Sequence, residues 1–244
     1  MLDLSEAPPI PEKISKRKVI VYKSRVDPTI VKLTAEKMKH KLFAKFGFSK
    51  NKSEEIRVVS VDKYYEPYIV IDAKYNVQYF TKKVYTLGVD LETDEVKISG
   101  ESYTPEADTS FSGAEGETRK IISVEAEMWS SYKDKAYLVF NGQGQEIPPN
   151  QVPAAPSEDQ PEKILKEFSK KTTTLQLSPE KEIDLVKARL VKRPSDVAKI
   201  EDEMFQISEH AVIYSPIYEI TFRNVKTGEE RLIKIDGVTA KIIS

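Results

Sequence analysis

Apolar positions recur at two spacings along this chain. Val31, Ala35, Met38, Leu42 and Phe46 fall at steps of three and four, the period of one helix face. Asp27 stands before them as an N-cap, Pro28 as a first helical residue, and Gly47 as a C-cap. The spacing predicts a helix of about five turns from Pro28. A second helix is predicted after Ser178-Pro179, with Ile183, Val186 and Leu190 on one face, Leu185 and Val191 beside them, and Pro194 ending it. PEKILKEFSKK, from Pro161, predicts a short third.

Elsewhere the pattern shortens to alternation, the period of strands. After the first helix come IRVVSVDKYYEPYIVIDAKYNVQYF, KKVYTLGVDL and EVKIS, with a turn at Thr93-Asp94. KIISVEAEMWSSYKDKAYLVFN reads as two strands joined at Lys133-Asp134. After the second helix come DVAKIEDEMFQISEHAVIYSPIYEITFRN, a turn at Lys226-Thr227-Gly228-Glu229, then EERLIKID and AKIIS. In RLIKID, Leu232, Lys234 and Asp236 point one way and Arg231, Ile233 and Ile235 the other.

One phrase occurs twice: Tyr65-Glu66-Pro67 and Tyr214-Ser215-Pro216, each running into a strand. Pro28 precedes the first by 39 positions, and Pro179 precedes the second by 37. Matching helix starts at nearly matching distances suggest an internal duplication. The competing reading is that proline opens edge strands, where its missing N–H costs nothing. The fold class expected is α+β: two related units, each a helix packed on an antiparallel sheet. The stretch from Ser215 to Ile243, with Thr227-Gly228-Glu229 and Asp236-Gly237-Val238-Thr239-Ala240-Lys241, resembles the end of PepSY-like domains. Ala240 stands where that pattern has Gly. The resemblance covers about 65 C-terminal residues and implies a small α+β module that binds or inhibits other proteins, often outside the cytoplasm.

NGQGQEIPPNQVPAAPSEDQPE, from Asn141, is rich in Pro, Gln and Asn and reads as a linker. The expected organisation is a loose tail over 1–16, a unit over 17–141, the linker over 142–160 and a unit over 161–244. The alternative is one domain whose two repeats share a sheet across the linker. Residues 99–118, rich in Ser, Thr, Glu and Gly, read as an exposed loop.

Composition narrows the chemistry. The chain has 244 residues, 39% of them hydrophobic and 32% charged, and no cysteine. Disulfides, thiolate metal sites and cysteine nucleophiles are excluded. No apolar run approaches the roughly 18–20 residues of a bilayer span. The N-terminal stretch, with Asp3 and Glu6 and no apolar core, predicts a cytoplasmic start rather than a signal peptide. Abundant Lys and Glu without Cys suit a thermophile, and the chain as a whole resembles an archaeal cytosolic protein.

Histidine is scarce. His40 sits among lysines on a polar helix side, and His210 follows Glu209 at a strand start; neither suggests a ligand or a base. Gly142-Gln143-Gly144 lacks the rest of a phosphate-binding loop, and no Gly-x-Ser-x-Gly occurs. The acids at Asp90-Leu91-Glu92-Thr93-Asp94-Glu95 lack calcium-loop spacing. Asn51-Lys52-Ser53 is a glycosylation sequon that matters only on export. Acids are abundant, but nothing singles out a catalytic pair. No catalytic residue, cofactor or metal site is expected.

Charge is uneven. The net charge is −1, yet residues 13–52 hold thirteen Lys or Arg against Asp27 and Glu36. Lys16, Arg17, Lys18, Lys23, Arg25, Lys32, Lys39, Lys41 and Lys45 therefore form a candidate polyanion-binding set. A solvated helix face gives the same pattern. Trp129, the only tryptophan, reads as a core anchor or, with Tyr65 and Tyr214, as a protein-interface residue. Two functions remain. The first is a non-catalytic cytosolic binding or scaffold protein working through protein partners. The second is a nucleic-acid- or ribonucleoprotein-associated protein gripping phosphate through 13–52. A membrane partner is not expected.

Overall fold

The computed structural model describes residues 8–43, 55–108, 119–169 and 172–243, with backbone alone for 40–43. The chain is α+β. Its strands are β1 (Glu12–Ile14), β2 (Lys18–Val21), β3 (Ile56–Val89), β4 (Val96–Ile98), β5 (Glu101–Tyr103), β6 (Glu106–Ala107), β7 (Lys120–Asn141), β8 (Val197–Asn224) and β9 (Glu230–Asp236). Its helices are α1 (Pro28–Phe43), α2 (Pro161–Glu167) and α3 (Pro179–Leu190).

The helix starts follow from local chemistry. Asp27 Oδ1 accepts the Thr29 N–H at 2.7 Å, and hydrogen bonding to the Thr29 side chain and then to its backbone holds the Asp27 carboxyl below the usual range. Ser178 Oγ accepts the Lys181 N–H at 3.4 Å at the start of α3. Val31 and Ala35 are buried as the stripe predicts. The expected C-cap at Gly47, together with Phe46, lies outside the described residues. On α3 the buried stripe is Glu182, Val186 and Leu190, while Leu185 is exposed.

Two strands predicted as pairs are each continuous. β3 runs unbroken into KKVYTLGV, and β7 passes straight through Lys133-Asp134. A neighbouring strand on the flank keeps the ladder going, and local sequence does not carry that information. The short hairpin of β4 and β5 turns through Ser99 and Gly100, both at positive φ (52° and 91°). That is the backbone a two-residue hairpin requires.

The chain divides into two compact units. Unit 1 is 1–12, 75–134 and 191–205; unit 2 is 13–74, 135–190 and 206–244. Each draws on three stretches of chain, whereas the sequence reading divided the chain once, at 142–160. That segment belongs wholly to unit 2. Within unit 2 it is held by Lys23 N–H to Pro156 O (2.8 Å), Glu158 N–H to Val21 O (2.7 Å) and a bridge between Phe140 and Glu146.

In unit 1 the strand order is β8-β3-β7-β6. Tyr75, Val77, Ile122, Val197 and Phe205 are buried there. The nearly buried Glu203 accepts both Arg193 Nε (2.8 Å) and Nη2 (2.5 Å), and also Tyr75 Oη (2.5 Å). A bidentate guanidinium leaves this carboxylate no unpaired oxygen.

In unit 2 β3 and β8 are neighbours, and β9 pairs antiparallel with β8, Ile217 facing Asp236. β2 lies parallel beside β8 with Lys18 opposite Ala211. α1 packs Val31 and Ala35 over Tyr218, Ile220, Phe222, Ile233 and Ile235. A second cluster joins Val70, Val139 and Ile213, with Ile147 and Val152 from 142–160 packed against it.

The two Tyr-x-Pro phrases have matching surroundings. A Cβ on Gly142 would lie 2.9 Å from Pro67 Cγ, and one on Gly237 would lie 2.7 Å from Pro216 O. Each glycine follows an Asx residue that closes a turn. Asn141 Oδ1 accepts the Gln143 and Gln145 N–H groups (3.0 Å each), and Asp236 Oδ1 accepts those of Val238 and Thr239 (2.8 Å each). Glycine is needed at both positions for close approach rather than for dihedral freedom.

Candidate functional site

β7 in unit 1 alternates cleanly. Glu125, Glu127, Trp129 and Lys133 are exposed on one face; Val124, Met128 and Tyr132 are half-buried on the other. Lys82 of β3 pairs with Glu125 at 3.0 Å and lies 3.9 Å from Glu127. It therefore shares their face, as does Val84 two residues on. Tyr85 Oη reaches Met128 Sδ at 2.7 Å on the opposite face. Trp129 is 55% exposed and Val84 61% exposed. A large apolar ring left in water on a strand is the informative exception to burial.

Among the described strands, only β6 pairs with the far edge of β7. That edge pairs with β6 only at Glu106–Ile121 and Ala107–Lys120. Beyond Ile121, along 122–133, no described strand covers it.

Two cavities lie among the described residues of unit 2. The first, of about 600 Å³, lies against Pro67 and is lined by the Asn141–Gln143 turn and by Lys234, Asp236 and Thr239. Three of its charged groups are engaged. Glu66 Oε1 accepts Lys234 Nζ (3.1 Å) and Tyr64 Oη (3.0 Å), and Asp236 is engaged by its own turn. Burial pushes the Tyr64 phenol up to about 12. The second cavity, of about 720 Å³, takes Arg25, Lys32 and Lys63 in its lining, with Asp27. Lys63 lies over the Tyr65 and Phe168 rings at 5.3 and 5.5 Å, and burial lowers its pKa against the opposing pull of Glu158 and Glu167.

The described members of the nine cations singled out by sequence differ in their surroundings. Arg17 is bound by the fully buried Glu182 at 2.6 Å, Lys23 pairs with Asp159 at 3.3 Å, and Lys39 pairs with Glu36. Arg25 and Lys32 meet at the second cavity; Lys16 and Lys18 are exposed. The side chain of Lys41 and all of Lys45 lie outside the described residues, as does that of His40. Tyr214 is half-buried. Tyr65 is fully buried, edge-on to Phe168 at 5.4 Å, so it is a core residue and not a surface anchor. Trp129 has the opposite fate: it anchors no core.

His210 is buried, and its Nε2 lies 2.6 Å from Glu182 Oε2. Glu182 thus joins the approach to β2, α3 and β8 through Arg17 and His210. Among the described residues no group of three or more His, Cys, Asp or Glu is placed to hold a metal ion. No described helix is long and apolar enough to cross a membrane. Comparison with protein-family models, curated proteins and solved structures finds no match to this chain.

Sequence reasoning missed Glu182. The signal was its position four before Val186 and eight before Leu190, on the buried stripe rather than off it.

Proposed function

We propose that this chain is a non-catalytic cytosolic binding protein that acts through protein–protein contacts on the β7 face of unit 1. The exposed Trp129 carries the reading: tryptophan is enriched where binding energy concentrates, and here it stands on a strand with an open edge. The matched glycine–proline contacts at Gly142–Pro67 and Gly237–Pro216 support the view that two copies of one helix-and-sheet unit underlie the chain. The PepSY-like resemblance of the C-terminal stretch points the same way, towards a binding module.

A photo-crosslinking amino acid at position 129, in the intact chain and native cell extract, should give one discrete adduct. The same group at Leu232, exposed in unit 2, should not. A smear from both positions, or nothing from 129, would count against the reading.

A second reading rests on the cavity shared by Arg25, Lys32 and Lys63: a phosphate-bearing nucleic acid could engage it. Binding to mixed RNA would then weaken steeply with salt, roughly one power of salt per phosphate contacted. Changing Arg25 and Lys32 to Glu should remove that slope. RNA binding that ignores salt, or is unchanged in the variant, excludes this reading.

A further inference from the structure

We propose that the chain forms a two-fold homodimer in which the free edge of β7 pairs antiparallel with the same edge of a second copy, Trp129 facing Trp129 across the axis. This names a partner for the β7 surface and rests on the protein-binding reading of it.

The edge is long. From 122 to 133 the backbone groups on the far side of β7 meet no described strand. Such a row is a template for another strand. A two-fold contact further demands a surface complementary to itself, because residue i must face j while j faces i.

The exposed face of β7 has that property. Its order is Ser123, Glu125, Glu127, Trp129, Ser131, Lys133: acids before the tryptophan and a base after it. Antiparallel pairing with Trp129 on the axis sets Glu125 opposite Lys133 at both ends and Glu127 opposite Ser131, with Lys133 on the diagonal. Two alternatives fail on charge, and of the antiparallel registers only this one sets Trp129 against its own copy. Parallel in-register pairing puts each Glu against its own copy. Moving the axis to Ala126 sets Glu125 against Glu127. Like charges directly opposite are unfavourable.

Lys82 of β3 already flanks Glu125 and Glu127 on the other side, so neither acid repels an incoming strand. The central Trp129 pair would bury two rings that are now more than half exposed, with Val84 on the same face. Aromatic pairs gain from such contact beyond the area they bury.

The absence of cysteine makes the register readable. In the full chain under mild oxidation, Trp129→Cys should form a disulfide-linked dimer. Glu125→Cys alone and Lys133→Cys alone should not, yet an equal mixture of the two should cross-link. Cross-strand neighbours on an antiparallel pair lie within disulfide reach, and residues displaced along the strand do not.

Sedimentation of the unmodified chain should show a concentration-dependent dimer. Lys133→Glu should weaken it about tenfold, and adding Glu125→Lys should restore it. Circular dichroism confirms that each variant is folded. A chain that sediments as a monomer at every concentration, or cross-links formed in another register, overturns the dimer. If position 129 still gives a discrete adduct with a different protein, the broader reading survives that failure. If neither occurs, both fall.

Discussion

Replacing Glu182 with Ala should cost about 3–5 kcal/mol, the range found when one member of a buried charge network is removed. The carboxylate is fully buried, and both its oxygens are used, by Arg17 and by His210, each at 2.6 Å. Without it the partly buried guanidinium, whose buried Nε already lacks a partner among the described residues, loses its counter-charge. The His210 ring loses its acceptor in an environment nearly closed to water. Domains are stable by only about 5–15 kcal/mol, so this one change should remove a large fraction of the total. Urea denaturation checks it through a lower midpoint at unchanged slope. A companion variant separates charge from packing. Arg17→Met, Glu182→Leu and His210→Leu together should cost less than Glu182→Ala alone, because no charge is left stranded. A Glu182→Ala midpoint equal to that of the parent chain would mean the network contributes nothing.

This network also measures how far the sequence could be read. The helix starts were legible because a cap and a proline act within one turn. Asp27-Pro28 and Ser178-Pro179 open α1 and α3 as expected. Glu182 was not, because an acid in a first turn is ordinarily solvated and favoured by the helix dipole. Only its place on the stripe of Val186 and Leu190 separates it from Glu180, and that stripe was read from its apolar members. Strand length was illegible for a different reason. Lys133-Asp134 is good turn chemistry, yet β7 passes through it because β3 lies alongside.

Of the two readings of Trp129, its exposure removes the core anchor. Its residue type argues for burial, but its parity places it with Glu125, Glu127 and Lys133, and parity decides which side of a sheet a side chain meets. Tyr64 and Tyr65 were equally ambiguous. Neighbours on a strand point to opposite faces, so burying both requires cover on both faces of β3. The assembly of each unit from three separate stretches depends on contacts between residues far apart in sequence, which no local signal encodes.

The burial of these tyrosines leads to the second large effect: the protein should unfold as the pH rises from about 10 to 12. An unfolded tyrosine loses its proton near 10. Burial pushes Tyr64 and Tyr65 up to about 12. Tyr68 and Tyr75 are raised further, Tyr68 by burial and then by Glu66, Tyr75 by burial and then by its bond to Glu203. Tyr22, Tyr137 and Tyr214 are raised by burial as well. Each raised group binds its proton more tightly when folded. Its contribution is complete below the unfolded value. Between the two values the unfolded chain holds fewer protons, so stability falls as the pH climbs and is spent by the folded value. Several tyrosines share one window, which makes the loss steep. Tyrosinate absorbance and far-ultraviolet circular dichroism, followed together, should move as one transition. Tyrosines that ionise near 10 while the dichroism stays native would place these rings in water. Tyr65→Phe refines the test. Its buried hydroxyl has no hydrogen-bond partner among the described residues, so the variant should keep its neutral-pH stability and retain more of it at alkaline pH.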